Sequence, residues 1–145
     1  MREALVWQAL ERALPDYIKA TRFEVMQPPG TSDVFWTDQR TSISGWIELK
    51  SCGAEDKELV HGKIPKLRPD QPMFMRRQAE NGVPCGILMR VGKDHWYFWR
   101  ARPDRGWVGQ IRSGYAMNMA DVYHRGTRPP IEHIFVALGI RSEVV

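Results

Sequence analysis

The sequence is short of several features that would assign it quickly to a class of proteins. No apolar run approaches the roughly 20 residues that a membrane-spanning helix needs. The first residues carry an acid, Glu3, without the long apolar stretch of a secretory signal. Cysteine is scarce: the chain has 2, Cys52 and Cys85, at a spacing that fits no zinc or redox motif. We therefore expect reduced thiols in an intracellular, cytoplasmic protein.

The motifs of several enzyme classes are missing as well. The sequence contains no phosphate-cradling glycine motif, no nucleophile elbow and no cysteine–histidine metal set. Its 4 histidines are scattered without the spacing of metal ligands. No internal repeat, low-complexity segment or linker divides the chain, so its 145 residues are expected to form one domain. These absences narrow the enzyme classes that remain.

Positive charge is in modest excess, and part of it is concentrated in one segment. The net charge of +4 is compatible with a polyanionic partner, although the excess is small. Four cations follow one another within a loop-like segment: Lys57, Lys63, Lys66 and Arg68. They are either ordinary solvated charges or contacts to the phosphates of a nucleic acid.

A hairpin between residues 33 and 50 organises the chain. Residues 34–36 and 46–49 are rich in strand formers, and the connection between them is polar and contains a glycine. Because strand side chains alternate, Glu48 and Lys50 share one face of the second strand. If the two strands are antiparallel, Asp33 at the start of the first lies beside Glu48 and Lys50.

Two acids and a lysine at one sheet edge are suited to metal-assisted phosphodiester chemistry. Mg²⁺ prefers oxygen ligands such as Asp33 and Glu48, and Lys50 could hold a water or stabilise charge on a phosphate. The alternative is three ordinary charges on an exposed strand. A third acid would come from the first helix, with Glu3 preferred and Glu11 as the second choice. Glu3 also suits a solvated helix start.

The remaining pattern predicts a mixed sheet with helices packed against it, an α/β sandwich. Up to residue 100 the predicted order is one helix, three strands, one helix and two strands. The helices are expected at residues 3–14 and 70–80, the strands at 21–26, 34–36, 46–50, 83–91 and 96–100, and a loop at 51–68. Beyond them we predict a short strand within 107–115, a short helix at 118–124 and a terminal helix at 131–138. The terminal helix is expected in the core or at a dimer interface.

The tryptophans are expected in the core, with Trp96 or Trp99 as alternatives for stacking on an unpaired base.

Two motifs of the hairpin resemble the core signature of the PD-(D/E)xK nuclease superfamily. They are Gly30-Thr31-Ser32-Asp33 and Glu48-Leu49-Lys50, with Ser32 where the family often has proline. The downstream Leu67-Arg68-Pro69-Asp70-Gln71, with Phe74 and Arg77, resembles the small phage and archaeal nucleases of that superfamily. That group includes Holliday-junction resolvases and VRR-type nucleases. The resemblance covers about residues 3–100 and leaves 101–145 as an extension of unassigned role.

The resemblance implies a restriction-endonuclease-like α-β-β-β-α-β core and a defined set of site residues. Asp33 and Glu48 would bind Mg²⁺ (Mn²⁺ is the alternative), together with the Leu49 carbonyl. Lys50 would be the catalytic lysine, and Gln71 matches a glutamine that lies near the site in related nucleases.

We therefore expect a metal-dependent endodeoxyribonuclease of phage or prophage origin in a bacterial host. Branched DNA such as a Holliday junction is the expected substrate, since no separate sequence-reading module is visible. Two symmetric cuts need two sites, which favours a homodimer. Two alternatives remain open on the same fold. One is a non-catalytic nucleic-acid-binding module, and the other is a partner-binding subunit of a phage DNA-processing assembly.

Overall fold

The structure is a computed structural model that describes residues 2–23, 30 and 32–141. Its helices are α1 (Arg2–Ala13), α2 (Lys57–Val60), α3 (Asp70–Glu80), α4 (Trp107–Ile111) and α5 (Ile131–Ala137), with a 3₁₀ helix at Ala116–Met119. Its strands are β1 (Ile18–Arg22), β2 (Val34–Asp38), β3 (Ile43–Cys52), β4 (Cys85–Val91), β5 (His95–Arg100) and β6 (Val122–Arg125). None of the described helices is long and apolar enough to cross a membrane.

The strands of the described residues form one mixed sheet of 6 strands in the order β1-β2-β3-β4-β5-β6. Neighbouring strands are antiparallel except for β3 and β4, which are parallel. A parallel pair needs a crossover, and α2 and α3 lie in this one. The predicted mixed α/β sheet flanked by helices is confirmed, and the order α1-β1-β2-β3-α3-β4 matches the expected core, with α2 added.

Helices cover both faces of the sheet, so two hydrophobic cores form. One core joins α1 and α5 to the sheet, and the ring of Trp36 meets Phe135 edge-on at 5.2 Å. The other core lies beneath α3 and α4 and includes Met75 and Trp107. Strand β4 is buried on both faces from Cys85 to Met89, as its apolar run predicts. Burial of this apolar surface on both faces stabilises the fold.

The tryptophans Trp96 and Trp99 are part of these cores. Their exposed fractions are 0% and 1%, and their indole N–H groups donate to the carbonyls of Gly126 and Ala116 at 2.9 and 2.7 Å. The expectation that either ring stacks on an unpaired base is therefore wrong, because neither ring has a free face.

The elements before the second helix are confirmed in type, with three corrections to their bounds. Strand β1 begins at Ile18, before the start predicted at residue 21, and predicted strand residues 24–26 lie outside the described part of the chain. The predicted connection at 37–45 is tighter, since β2 runs to Asp38 and β3 begins at Ile43. The loop expected at 51–68 contains α2, because the Asp56 side chain caps the N–H groups of Glu58 and Leu59.

The last third of the chain departs further from prediction. The strand expected within 107–115 is instead helix α4, whose Trp107 and Ile111 are one helical turn apart and both buried. The helix expected at 118–124 is a 3₁₀ turn followed by strand β6, which completes the sheet beside β5. The terminal helix is confirmed as α5, and its Ile134 and Phe135 lie in the core.

Candidate functional site

The β2–β3 hairpin brings the two predicted acids together. Val34 is paired with Ile47 in an antiparallel register, so Asp33 and Glu48, one step further out, are opposite each other. The Oδ2 of Asp33 accepts the main-chain N–H of Leu49 at 2.8 Å. This bond fixes the first carboxylate against the strand that carries the second.

Glu48 is almost completely buried, and only one of its carboxylate oxygens accepts a hydrogen bond from a described residue. Its exposed fraction is 2%. Oε2 accepts the side-chain amide of Gln71 at 3.0 Å and lies 3.7 Å from the Nζ of Lys50. Oε1 is buried and meets no hydrogen-bond partner among the described residues. A buried carboxylate oxygen without a donor is costly unless a proton or a cation reaches it.

The electrostatics of this corner agree with that geometry. The pKa of Glu48 is raised from 4.5 to about 9, chiefly by burial and next by the nearby charge of Asp33, while the charge of Lys50 works in the opposite direction. The charge of Glu3 adds to the upward shift. The corner is therefore short of positive charge when only its own side chains are present.

Lys50 is held by a loop with an unusual backbone. Its exposed fraction is 5%, and its Nζ donates to the main-chain carbonyl of Lys66 at 3.0 Å. Lys66 has φ = 60°, in the left-handed region, and its N–H donates to the Oε1 of Glu58 at 3.0 Å. A left-handed lysine costs about 1–2 kcal/mol. The loop therefore holds a strained turn at the point where it restrains the site lysine.

Gln71, in the first turn of α3, is fixed at both ends of its amide. Its Oε1 accepts the N–H of Arg68 at 2.9 Å, while its Nε2 donates to Glu48.

Gly30 brings the turn before Asp33 against this same helix start. It has φ = 87°, and a Cβ at this position would clash with the carbonyl oxygen of Asp70. Glycine is therefore required where the two segments meet.

A cleft of about 640 Å³ opens over this corner. The residues that line it are Glu3, Asp33, Glu48, Lys50, Lys66, Leu67, Arg68, Pro69 and Gln71. The structure thus brings together the side chains of the predicted catalytic set. Glu11 is exposed on α1 and is absent from the described lining, as are Lys57 and Lys63. The Leu49 side chain lies in the core on the opposite sheet face, so only its main chain borders the site.

The side chains of the cleft do not complete a metal site by themselves. In the described part of the chain, no group of three or more His, Cys, Asp or Glu residues is arranged to hold a metal ion. Asp33 and Glu48 would need further oxygens, from the Leu49 carbonyl, water or a substrate phosphate. Mg²⁺ accepts that pattern, since it commonly binds through one or two carboxylates and keeps several waters. The Oε1 of Glu48, which accepts no hydrogen bond from the described residues, fits such a cation.

Sequence reasoning missed two contributors to this site, Glu58 and the carbonyl of Lys66. A left-handed lysine has no sequence signature comparable to that of glycine or asparagine, so the turn could not be read in advance. The contact of Glu58 with the Lys66 N–H joins residues 8 apart across an irregular loop, and no periodic pattern marks such a contact.

A second cavity, more apolar and about 350 Å³ in volume, lies near α5. Tyr17, Arg128 and Phe135 are among its lining residues, and none of the predicted site residues borders it. Its described lining contains no pair of acids beside a lysine.

The fold and the hairpin corner together define a mixed α/β protein with an acid–acid–lysine cluster in a cleft. No family model and no curated protein matches the sequence. Among solved structures, it is similar to Hjc, a Holliday junction resolvase from the hyperthermophilic archaeon Archaeoglobus fulgidus. The identity is 17%, the TM-score is 0.40, and the match covers 68% of this chain and 69% of that one. A likeness of this size carries no conclusion about function, so the PD-(D/E)xK resemblance stays a prediction from the sequence.

Proposed function

We propose that the chain is a metal-dependent endodeoxyribonuclease, a hydrolase of phosphodiester bonds that uses Mg²⁺ or Mn²⁺. The observation that supports this most is the buried Oε1 of Glu48, which has no donor among the described residues and lies in a corner with a second carboxylate. Asp33, Glu48 and the Leu49 carbonyl would hold the metal. When bound, the metal would polarise the phosphodiester and neutralise developing charge.

The protein's own side chains have separate parts in this proposal. Lys50 carries a positive charge at the cleft wall and would stabilise the anionic phosphate as charge develops on it. Gln71 would keep the Glu48 carboxylate in one orientation, because its own amide is fixed by the N–H of Arg68. Lys66 and Arg68 line the cleft and would contact the flanking phosphates. Lys57 and Lys63 would bind the DNA outside the cleft.

Selectivity for branched DNA and a homodimeric assembly belong to the same proposal. A branched junction is resolved by two symmetric cuts, and two copies of the cleft related by a two-fold axis would deliver them. Analytical ultracentrifugation with and without a four-way junction tests this part. A monomer that cuts linear and branched DNA equally would contradict it.

The central experiment is a cleavage assay on linear, single-stranded, nicked and four-way DNA, each with and without Mg²⁺. We expect cutting that depends on the metal and is abolished by Lys50→Ala. Lys19→Ala, which removes an exposed lysine on β1, is the matched control and should leave cutting unchanged. Cutting that survives Lys50→Ala would reject the site. Salt-sensitive binding without cutting under any condition would favour the non-catalytic DNA-binding module instead.

A further inference from the structure

A cluster of aromatic side chains lies on the surface between β5 and β6, away from the cleft. The rings of Tyr97 and Tyr123 are 4.9 Å apart, and the ring of His95 stacks on Tyr123 at 5.9 Å with 21° between the planes. His95 Nδ1 and the Tyr123 hydroxyl share a hydrogen bond of 2.8 Å. We refer to His95, Tyr97 and Tyr123 as the tyrosine platform.

The sheet register puts this platform on the same face as Lys50. Lys50 is paired with Met89, Met89 with Tyr97, and Tyr97 with Tyr123, so the four residues form one row across four strands. Paired residues point to the same side of a sheet. With about 4.8 Å between strands, Tyr97 and Tyr123 are about 10 and 14 Å from Lys50 along that row. The face that carries the cleft therefore also carries the platform.

The platform is exposed on its outer side and supported on its inner side. Tyr123 has an exposed fraction of 52%, in contrast to the buried tryptophans of the neighbouring strand β5. Tyr97 stacks at 6.0 Å on Trp99, a core residue, with 18° between the rings. A rigid row of rings that ends in an exposed tyrosine offers a flat apolar surface at little further cost in conformational entropy.

The charges beside the platform suit a polyanion. Arg125, on the same edge strand, is 74% exposed, and its ion pair with Asp94 at 3.6 Å is of the exposed kind that contributes little. Lys93 in the adjoining turn is exposed. On this sheet face α2 packs on the core through Leu59 and carries Lys57, and Lys63 follows it. Cations thus occur both beside the platform and on the segment that precedes the cleft residues Lys66 and Arg68.

We propose that the tyrosine platform binds an unpaired segment of single-stranded DNA that leads away from the cleft, with bases stacked on Tyr123 and Tyr97. This inference rests on the proposed function and narrows its substrate. A continuous duplex keeps its bases stacked inside and has none to offer, so the preferred substrate carries a single-stranded arm, such as a flap or an open fork. Stacking on an aromatic ring is tolerant of sequence, in agreement with a site that reads DNA structure.

The test measures binding of a fluorescent oligothymidylate of about 16 nucleotides by fluorescence anisotropy. EDTA is present to remove divalent metal, so the measurement does not depend on cleavage. We expect Tyr123→Ala to weaken binding about tenfold, and Tyr123→Phe, which keeps the ring, to bind like the unmodified protein. Tyr115→Ala is the matched control, since Tyr115 is 73% exposed and lies outside the platform. Binding of a blunt duplex should be the same for all four proteins.

Equal binding of the oligothymidylate by Tyr123→Ala and Tyr115→Ala would overturn the platform. Photocrosslinking of a bromouracil-substituted oligonucleotide to the unmodified protein gives a second answer that does not depend on the folding of a variant. We expect the crosslinked peptides to contain Tyr97 or Tyr123, and crosslinks confined to other segments would overturn the proposal. Because neither measurement uses cleavage, the platform and the nuclease proposal can fail independently.

Discussion

Two buried acids on the same hairpin differ in how many hydrogen bonds their carboxylate oxygens accept from the described residues. Asp38 ends β2 and is completely buried, as is Glu48 to within 2%. The Asp38 carboxylate accepts the main-chain and side-chain N–H groups of Arg40 at 3.0 and 3.2 Å and the hydroxyl of Thr41 at 3.0 Å. Burial raises its pKa, yet these hydrogen bonds and the charge of Arg40 outweigh burial and leave the pKa lowered.

The comparison separates a structural acid from one suited to chemistry. The described partners of the Asp38 carboxylate are Arg40 and Thr41, so a short turn satisfies it locally. Glu48 depends on Gln71, 23 residues away, and no described residue donates to its other oxygen. The two acids thus have opposite pKa shifts, and the incompletely satisfied one lies in the cleft, as perturbed groups at functional sites commonly do.

The sharpest way to break this contrast is Glu48→Gln. A neutral amide cannot serve as a carboxylate ligand, so we expect cleavage to fall about a hundredfold to a thousandfold. The same change removes the need to bury a proton or a charge, so the metal-free protein should melt a few degrees higher at pH 8. Cleavage rates and thermal melts in EDTA measure the two effects. A variant that is both active and less stable would contradict this interpretation of Glu48.

Gln71→Ala should have the next largest effect. It removes the side-chain amide that donates to Glu48 Oε2, and loss of a partner that orients a ligand typically costs about 10- to 100-fold in metal affinity or activity. The metal concentration for half-maximal cleavage should rise while the melting temperature changes little. Gln78→Ala on the same helix is the control. Equal metal requirements in both variants would remove Gln71 from the site.

Asp38→Asn should do the opposite of Glu48→Gln. It replaces charged hydrogen bonds with Arg40 and Thr41 by weaker ones, which should lower the free energy of unfolding by about 2 kcal/mol. Urea denaturation at pH 7 measures the loss, and cleavage per folded molecule should be unchanged. The difference from the unmodified protein should shrink in acid, because a group with a lowered pKa contributes stability that is lost as the pH falls through that pKa.

The stability of the metal-free protein should depend on pH through Glu48. Its pKa is raised to about 9 in the fold and is 4.5 when unperturbed, so between these values the folded state binds the extra proton. Stability should therefore fall as the pH rises across that window. Melting temperatures in EDTA at pH 5.5 and 8.5 should show the decrease, which Glu48→Gln should flatten and Mg²⁺ should oppose. A melting temperature that rises with pH in this window would contradict the shift.

The smallest effect is expected from the third acid. Glu3 lines the cleft, and Glu11 is absent from its described lining. We therefore expect Glu3→Gln to raise the metal concentration for half-maximal cleavage, or to lower the cleavage rate, only a fewfold. Glu11→Gln should leave both unchanged. The two substitutions remove the same charge from the same helix, which makes them a matched pair. Identical kinetics would leave Glu3 with the role of an acid at a helix start.

Local patterns predicted the hairpin and much of the site, and long-range packing decided the rest. Alternation in β3 was enough to pair Asp33 with Glu48 and Lys50, and Asn81-Gly82 correctly marked the end of α3. Strand β6 was missed because its four residues are mostly exposed and polar, so only pairing with β5 makes it a strand. Helix α4 was missed because its five residues are too few to show a helical period, so a short strand was predicted there.

The parallel pairing of β3 with β4 has a consequence for how the cleft comes into being. The hairpin that carries both carboxylates closes over a short span of chain, whereas Gln71 arrives only when the long connection through α3 has folded back onto the sheet. Non-local pairing of this kind forms late, because the chain loses the entropy of closing the loop before the new contacts stabilise it. We therefore expect the two acids to meet in folding before the amide of Gln71 reaches Glu48.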